Sequence, residues 1–331
     1  MKDSQMWKPQ IVVATDMQLC MEALELLRQA GTVKYLVPPD RERTLQAIGD
    51  AYAYLGNIDI LINRSFLEHA PQLQVICTCS TGTDHIDIPA VEERGITLFS
   101  IKREYELLES FSSVAETTWG LLIACLRHLP YHAERARHGE LRWWASEAPL
   151  PYQLSGKTLG VLGVGRLGSM VVEYGKAFRM RVLGCDVRTR DIDGMTQVDF
   201  DTLIRESDII SIHVHLTDET RHVINRDVLA RMKRGAVLLN TARGDIIDED
   251  AFVDALESEH LLAAAVDVYH NEWDPNIASH RLFEYARNHH NLIITPHLAG
   301  ASFESITGAR VFMARKLAAF LRNAPKNTKA S

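Results

Sequence analysis

The sequence predicts an α/β protein made of two doubly wound parallel-sheet domains. Three observations carry that prediction. At 331 residues the chain is longer than one hydrophobic core usually serves. Short β-branched runs alternate with helical stretches in two successive series, the pattern of parallel sheets. The second series opens with a glycine-rich turn set between an apolar strand and a helix, Gly163-Val164-Gly165-Arg166-Leu167-Gly168.

In the first series, Ile11–Ala14, Val33–Val37, Ile58–Ile62 and Gln74–Cys79 read as strands. Leu19–Arg28, Arg41–Tyr54 and Ile88–Arg94 carry helical apolar spacing. Ser113–His128 reads as a long apolar helix, and the charged, proline-bearing 129–157 as a second helix followed by an exposed connection into a new domain. In the second series Thr158–Leu162, Arg181–Asp186, Ile209–His213, Ala236–Asn240, Ala264–Val268 and Leu292–Thr295 read as buried strands. Asp201–Arg205, Asn225–Met232 and Glu249–Glu257 read as helices between them, and Phe303–Leu321 as a closing helix.

Composition narrows the function. A 46% apolar and 24% charged chain is ordinary globular material. The net charge of −7, without a Lys/Arg block, disfavours nucleic acid or an anionic membrane as partner. The first residues lack an apolar leader, no apolar run is long enough to span a bilayer, and five cysteines show no C-x-x-C spacing. The expectation is a cytoplasmic protein with free thiols. His213/His215 and His289/His290 lack a third clustered ligand, so no metal is expected.

The glycine turn has a specific physics. Gly163 permits the tight turn, Gly165 lets the backbone approach a pyrophosphate, and Gly168 lets helix and strand pack closely. The helix that follows offers unpaired N–H groups and a positive dipole end to phosphates. Asp186 closes the next strand, where an acid bonds ribose hydroxyls and repels a 2′-phosphate. NAD is therefore expected, while Arg188 nearby keeps NADP as the lesser alternative.

Several ordered blocks then match one family. They are Ser80-Thr81-Gly82-Thr83-Asp84, Ser113-Val114-Ala115-Glu116, Ser207–His213, Leu238-Leu239-Asn240-Thr241-Ala242-Arg243-Gly244, Ala265-Val266-Asp267-Val268-Tyr269 with Glu272, and Thr295-Pro296-His297-Leu298-Ala299-Gly300. From about residue 55 to 322 the chain resembles the D-isomer-specific 2-hydroxyacid dehydrogenases. The resemblance implies a cleft between the domains, with the cofactor domain inserted into the substrate domain. Carried onto this chain, 1–110 and 303–331 would form the substrate-binding domain and 111–302 the NAD-binding domain.

The resemblance also implies roles. His297 would be the acid/base for the carbonyl oxygen, oriented by Glu272, with Asp274 a rival carboxylate. Arg243 would clamp the substrate carboxylate or carbonyl, since a planar guanidinium matches a planar carboxylate. Backbone N–H groups of Thr81, Gly82 and Thr83 would take its other side, and Arg64 a charged substrate tail. Arg166 and Leu167 would present N–H groups to the pyrophosphate. His213, Val214, His215 and Thr220 would border the adenine side. Thr241, Ala242 and Arg243 would line the nicotinamide ribose, and Asp267 would meet the nicotinamide amide, with His297 alongside.

The implied activity is hydride transfer between NAD(H) and a small 2-keto/D-2-hydroxy acid in a homodimer. Trp143 or Trp144 would either reach the partner's active site or serve as a core or interface aromatic. Within the class, glyoxylate/hydroxypyruvate reductase and phosphoglycerate dehydrogenase stay open. A non-enzymatic NAD-sensing scaffold of the corepressor type is the alternative of another class. The polar stretch Trp273–His290 is longer than in many relatives, and the sequence offers no reason for it.

Overall fold

The computed structural model describes residues 8–142 and 149–324. It divides into two compact units, residues 1–111 with 302–331, and residues 112–301. Trp143 and Trp144 lie outside the described residues.

The first unit is built on a five-stranded, all-parallel sheet: β1 (Gln10–Ala14), β2 (Thr32–Tyr35), β3 (Ala53–Gly56), β4 (Val75–Thr78) and β5 (Thr97–Phe99), in the order β2-β1-β3-β4-β5. Val12, Ala14, Tyr54 and Ile76 bury into one layer, and Ile11, Val13, Leu55 and Cys77 into the other. Such two-sided burial is what covered parallel sheets require. The helices Met21–Ala30 and Phe303–Asn323 close the second layer through Leu24, Leu27, Met313 and Leu317. Ser302 and Ser305 bond reciprocally and start the latter helix with a capping box.

Two readings of this unit need correction. The expected helix Arg41–Tyr54 ends at Ala47, and Ala53–Gly56 is the central strand β3. The expected strand Ile58–Ile62 is a loop that touches a neighbour only through the bridge Ile62↔Ile86. Ile60 and Ile62 are buried there as loop anchors, so β-branched burial appears without a ladder.

The second unit holds a seven-stranded parallel sheet: β6 (Thr158–Leu162), β7 (Arg181–Cys185), β8 (Met195–Gln197), β9 (Ile209–Ile212), β10 (Ala236–Asn240), β11 (Leu261–Val266) and β12 (Leu292–Ile294). Their order is β12-β11-β10-β9-β6-β7-β8. The chain winds outward from β6 in one direction and from β9 in the other, so the strand order reverses between β6 and β9. In doubly wound sheets ligands bind outside the carboxyl ends of the strands at that reversal. The helix Ser113–Leu126 packs on one face, where the Cys125 thiol donates to the Ala264 carbonyl at 3.2 Å. Among the described residues no helix is long and apolar enough to cross a membrane.

Candidate active site

The carboxyl edge of the seven-stranded sheet collects the polar residues. Gly163 follows β6, Asp186 follows β7, His213 follows β9, Arg243 follows β10, Asp267 and Glu272 follow β11, and His297 follows β12.

At the reversal, Gly163 has φ +91°, and a Cβ there would come 2.8 Å from the His213 backbone. A side chain on Gly168 would come 2.0 Å from the Gly163 carbonyl oxygen, so the helix could not seat against its strand. Around Gly165 the space is open, and the helix Arg166–Ala177 begins there with no side-chain cap. Its first N–H groups, the dipole end and an open approach fit a pyrophosphate. The Arg166 guanidinium, at the same end, is pulled below its ordinary range by burial.

Asp186 Oδ2 accepts from the Val164 N–H at 2.9 Å and Oδ1 from the Arg188 N–H at 2.9 Å. Arg190 Nε lies 3.5 Å from the same carboxylate. Each oxygen keeps a lone pair, so the ribose-binding chemistry fits while the acid also shapes the loop. His213 donates its N–H to the Leu162 carbonyl at 2.7 Å, and its Nε2 lies 2.7 Å from Ser211 Oγ. Burial pushes the His213 imidazole down to about 4, so the ring is neutral near pH 7. Val214 packs on Gly163, and Thr220 Oγ1 donates to the His215 carbonyl at 2.7 Å, closing its own loop.

On the other half of the sheet Asn240 builds the turn that carries Arg243. Its Oδ1 accepts the Ala242 N–H at 3.0 Å and its Nδ2 donates to the Arg243 carbonyl at 2.8 Å. The Arg243 guanidinium donates to the Ala242 carbonyl at 2.6 Å. Thr241 Oγ1 lies 2.7 Å from Thr118 Oγ1, both buried. Asn240 and Thr118 hold the turn after β10, a contribution that sequence reasoning missed. The only signal was a polar residue ending an otherwise apolar strand.

His297 Nδ1 lies 2.6 Å from Glu272 Oε2, and the rings and carboxylate are only partly exposed, 28% and 15%. That leaves Nε2 as the ring nitrogen able to meet a reacting oxygen. The rival Asp274 instead pairs with His280 Nε2 at 2.8 Å. His297 sits at φ +51°, a left-handed backbone that non-glycine residues rarely adopt. Asp267, 1% exposed, holds it there. Its carbonyl accepts the His297 N–H at 2.9 Å, while its carboxylate takes Thr295 Oγ1 at 2.5 Å and the N–H groups of Leu298 and Ala299 at 2.9 and 2.8 Å. The sequence reading directed Asp267 at the cofactor amide; the fold gives its carboxylate these three internal donors.

Two expected groups lie in the first unit. In the loop after β4, Ser80 Oγ donates to the Gly82 carbonyl at 2.5 Å and the Ile86 N–H to the Thr83 carbonyl at 2.9 Å. Among the described residues the N–H groups of Thr81, Gly82 and Thr83 find no acceptor. Arg64 forms a two-bond pair with Glu93, at 2.7 and 2.8 Å. Among the described residues no three His, Cys, Asp or Glu side chains are grouped to hold a metal ion.

The family model described as D-isomer specific 2-hydroxyacid dehydrogenase, NAD binding domain, matches residues 119–299. This chain belongs to that family. The dehydrogenase is 36% identical over 329 residues to a glyoxylate reductase of Aeropyrum pernix, covering 95% of this chain and 93% of the relative. It is 34% identical to a hydroxypyruvate reductase of Thermotoga maritima, covering 76% and 81%. Among solved structures it is similar to the D-lactate dehydrogenase of Aquifex aeolicus in complex with NAD and lactic acid, at 29% identity and TM-score 0.80, covering 95% of each chain. Its fold class and its cofactor, NAD, are those of the family.

Proposed function

We propose that this dehydrogenase works as an NADH-dependent reductase of small 2-keto acids, with glyoxylate and hydroxypyruvate as preferred substrates. The single observation that carries the reading is the His297–Glu272 pair, 2.6 Å apart, at the strand edge that also bears Arg243 and the glycine turn. The substrate assignment leans on the names of the similar relatives, a glyoxylate and a hydroxypyruvate reductase.

Gly163–Gly168 and Asp186 would hold NADH, which when bound would supply the hydride. The remaining work falls to the protein. Arg243 binds the substrate carboxylate or the carbonyl oxygen. His297 enters reduction protonated and gives its Nε2 proton to the carbonyl oxygen as negative charge develops there. Glu272, across Nδ1, stabilises the imidazolium before transfer and holds the ring's tautomer after it. Asp267 fixes the loop so that the ring cannot swing away. One hydride and one proton added to the 2-keto acid give the 2-hydroxy acid; oxidation reverses both. The first unit is proposed to carry substrate-binding groups, Arg64 among them, and the protein to act as a homodimer.

The reading is tested by initial rates of NADH and NADPH oxidation with glyoxylate, hydroxypyruvate, pyruvate, phenylpyruvate and 3-phosphohydroxypyruvate. Sedimentation of the same sample reports the oligomer. The expected result is the highest kcat/KM for glyoxylate or hydroxypyruvate with NADH. A preference for 3-phosphohydroxypyruvate overturns the substrate assignment, and no turnover with any acid overturns the reaction.

A further inference from the structure

Glu272 has a weak hold of its own. Apart from His297, among the described residues its carboxylate accepts only the Tyr269 N–H, at a long 3.4 Å. Its placement therefore depends on the backbone of residues 269–280, and that segment is fastened on both sides of it. Two residues before, His270 Nδ1 lies 2.6 Å from Asp245 Oδ1, and the His270 N–H donates to Glu249 Oε2 at 3.1 Å. Two residues after, Asp274 Oδ2 pairs with His280 Nε2 at 2.8 Å, while Oδ1 takes the Asn276 N–H at 2.8 Å.

Both anchors lead to rigid elements. Asp245 comes two residues after Arg243 and is held in turn by Arg221. The Tyr269–His270 peptide lies directly on Gly244, where a Cβ would come 2.1 Å from the Tyr269 carbonyl carbon. The loops of Arg243 and Glu272 are thus in backbone contact and bridged by a side-chain pair. On the far side, His280 precedes the helix Arg281–Asn288, whose Leu282 and Tyr285 are buried. Arg281 pairs with Asp254 at 2.6 Å and Glu257 at 2.7 Å on the helix Glu249–Glu257. Glu249 opens that second helix and faces both imidazoles. Burial pushes its carboxyl up, against the pull of His270 and His280.

We propose that His270 and Asp274, through Asp245 and His280, are positioning residues that hold Glu272 in register with His297, and that residues 273–290 supply the far anchor. The inference rests on the reading of His297 and Glu272 as the acid/base pair. Neither imidazole–carboxylate pair is deeply buried, so each adds little to global stability. Their effect is local, on the direction of one carboxylate.

The test compares the full-length protein with a His270→Ala/His280→Ala double variant. Its rescue partner is His270→Asn/His280→Gln, in which amide nitrogens stand near the bonding Nδ1 and Nε2. One readout is the far-downfield proton resonance of the His297 ring N–H shared with Glu272, assigned by its loss in Glu272→Gln. The others are kcat, KM, NADH Kd and Tm. The proposal expects the resonance to broaden or vanish in the alanine pair and kcat to fall about tenfold, a usual loss for a supporting contact. NADH Kd and Tm stay unchanged, and the amide pair restores both resonance and kcat. An unaltered resonance and kcat in the alanine pair overturn it, as does a loss that follows Tm and resists amide rescue. Should the wild type reduce no 2-keto acid, the functional reading falls, while the resonance still decides the positioning claim.

Discussion

Asp267 and His297 are tied backbone to backbone, the His297 N–H donating to the Asp267 carbonyl at 2.9 Å, while the Asp267 carboxylate gathers the two N–H groups that follow His297. One buried acid thus sets the left-handed turn that presents the imidazole. Strained backbone of this kind persists only where the surroundings over-determine it.

Asp267→Asn replaces one acceptor oxygen by an NH2 group facing donors. A buried donor left without an acceptor costs about 1–3 kcal/mol. The expected outcome is a Tm lower by several degrees and a kcat lower by about a hundredfold, read by calorimetry and steady-state kinetics. A variant with wild-type Tm and kcat would show that the turn does not depend on this carboxylate.

Removing the acid/base pair separates chemistry from binding. His297→Asn is expected to lower kcat by about 10³-fold and Glu272→Gln by about 10²-fold, both within the range of general acid–base catalysis. NADH Kd, read by fluorescence titration, stays within about twofold, because neither change touches the glycine turn. A large rise in Kd with kcat preserved would assign these residues to cofactor binding instead.

Asp186 holds its own loop and is proposed to take the ribose hydroxyls, and its removal tests both. Asp186→Ala deletes the acceptor for the Val164 and Arg188 N–H groups and leaves Arg190 without its carboxylate partner. NADH affinity is expected to fall about tenfold, while the ratio of kcat/KM for NADPH to that for NADH rises by at least that factor. Unchanged discrimination would place the determinant elsewhere.

Much of this was legible in the sequence, and the failures have physical causes. The glycine turn announces itself because two close backbone approaches forbid a side chain, at Gly163 and Gly168. The His297–Glu272 pairing was available from the family resemblance, and Asp274 could be set aside only once its bond to His280 was visible. β3 was misread because Ala53–Gly56 is short and Leu45, Ile48, Tyr52 and Leu55 keep helical spacing across the Gly49-Asp50 turn, whereas Ile58–Ile62 has strand composition but buries in a loop. The Thr118–Thr241 and Asp245–His270 contacts join residues far apart in sequence, and no spacing rule reports them.

Acid should loosen the cofactor-binding unit. Burial pushes His213 down to about 4, and burial with neighbouring imidazoles also lowers His128 and His290. A depressed histidine binds its proton in the unfolded chain first. Its contribution is complete above the unfolded value of 6.5 and is lost as pH falls toward the folded one. Denaturant titrations between pH 7.5 and 4.5 should show stability falling below about pH 6.5. His213→Gln should flatten the slope by about one proton, or about 1.4 kcal/mol per pH unit. Parallel slopes for the two proteins would contradict the assignment.

The most direct test of the account is a single turnover. Enzyme loaded with one equivalent of NADH is mixed rapidly with glyoxylate, and the dihydronicotinamide absorbance is followed in the wild type and in His297→Asn. The account predicts a fast, stoichiometric loss in the wild type and a loss slowed about a thousandfold in the variant, with NADH bound equally in both. Equal rates in the two proteins, or no loss in either, would contradict it.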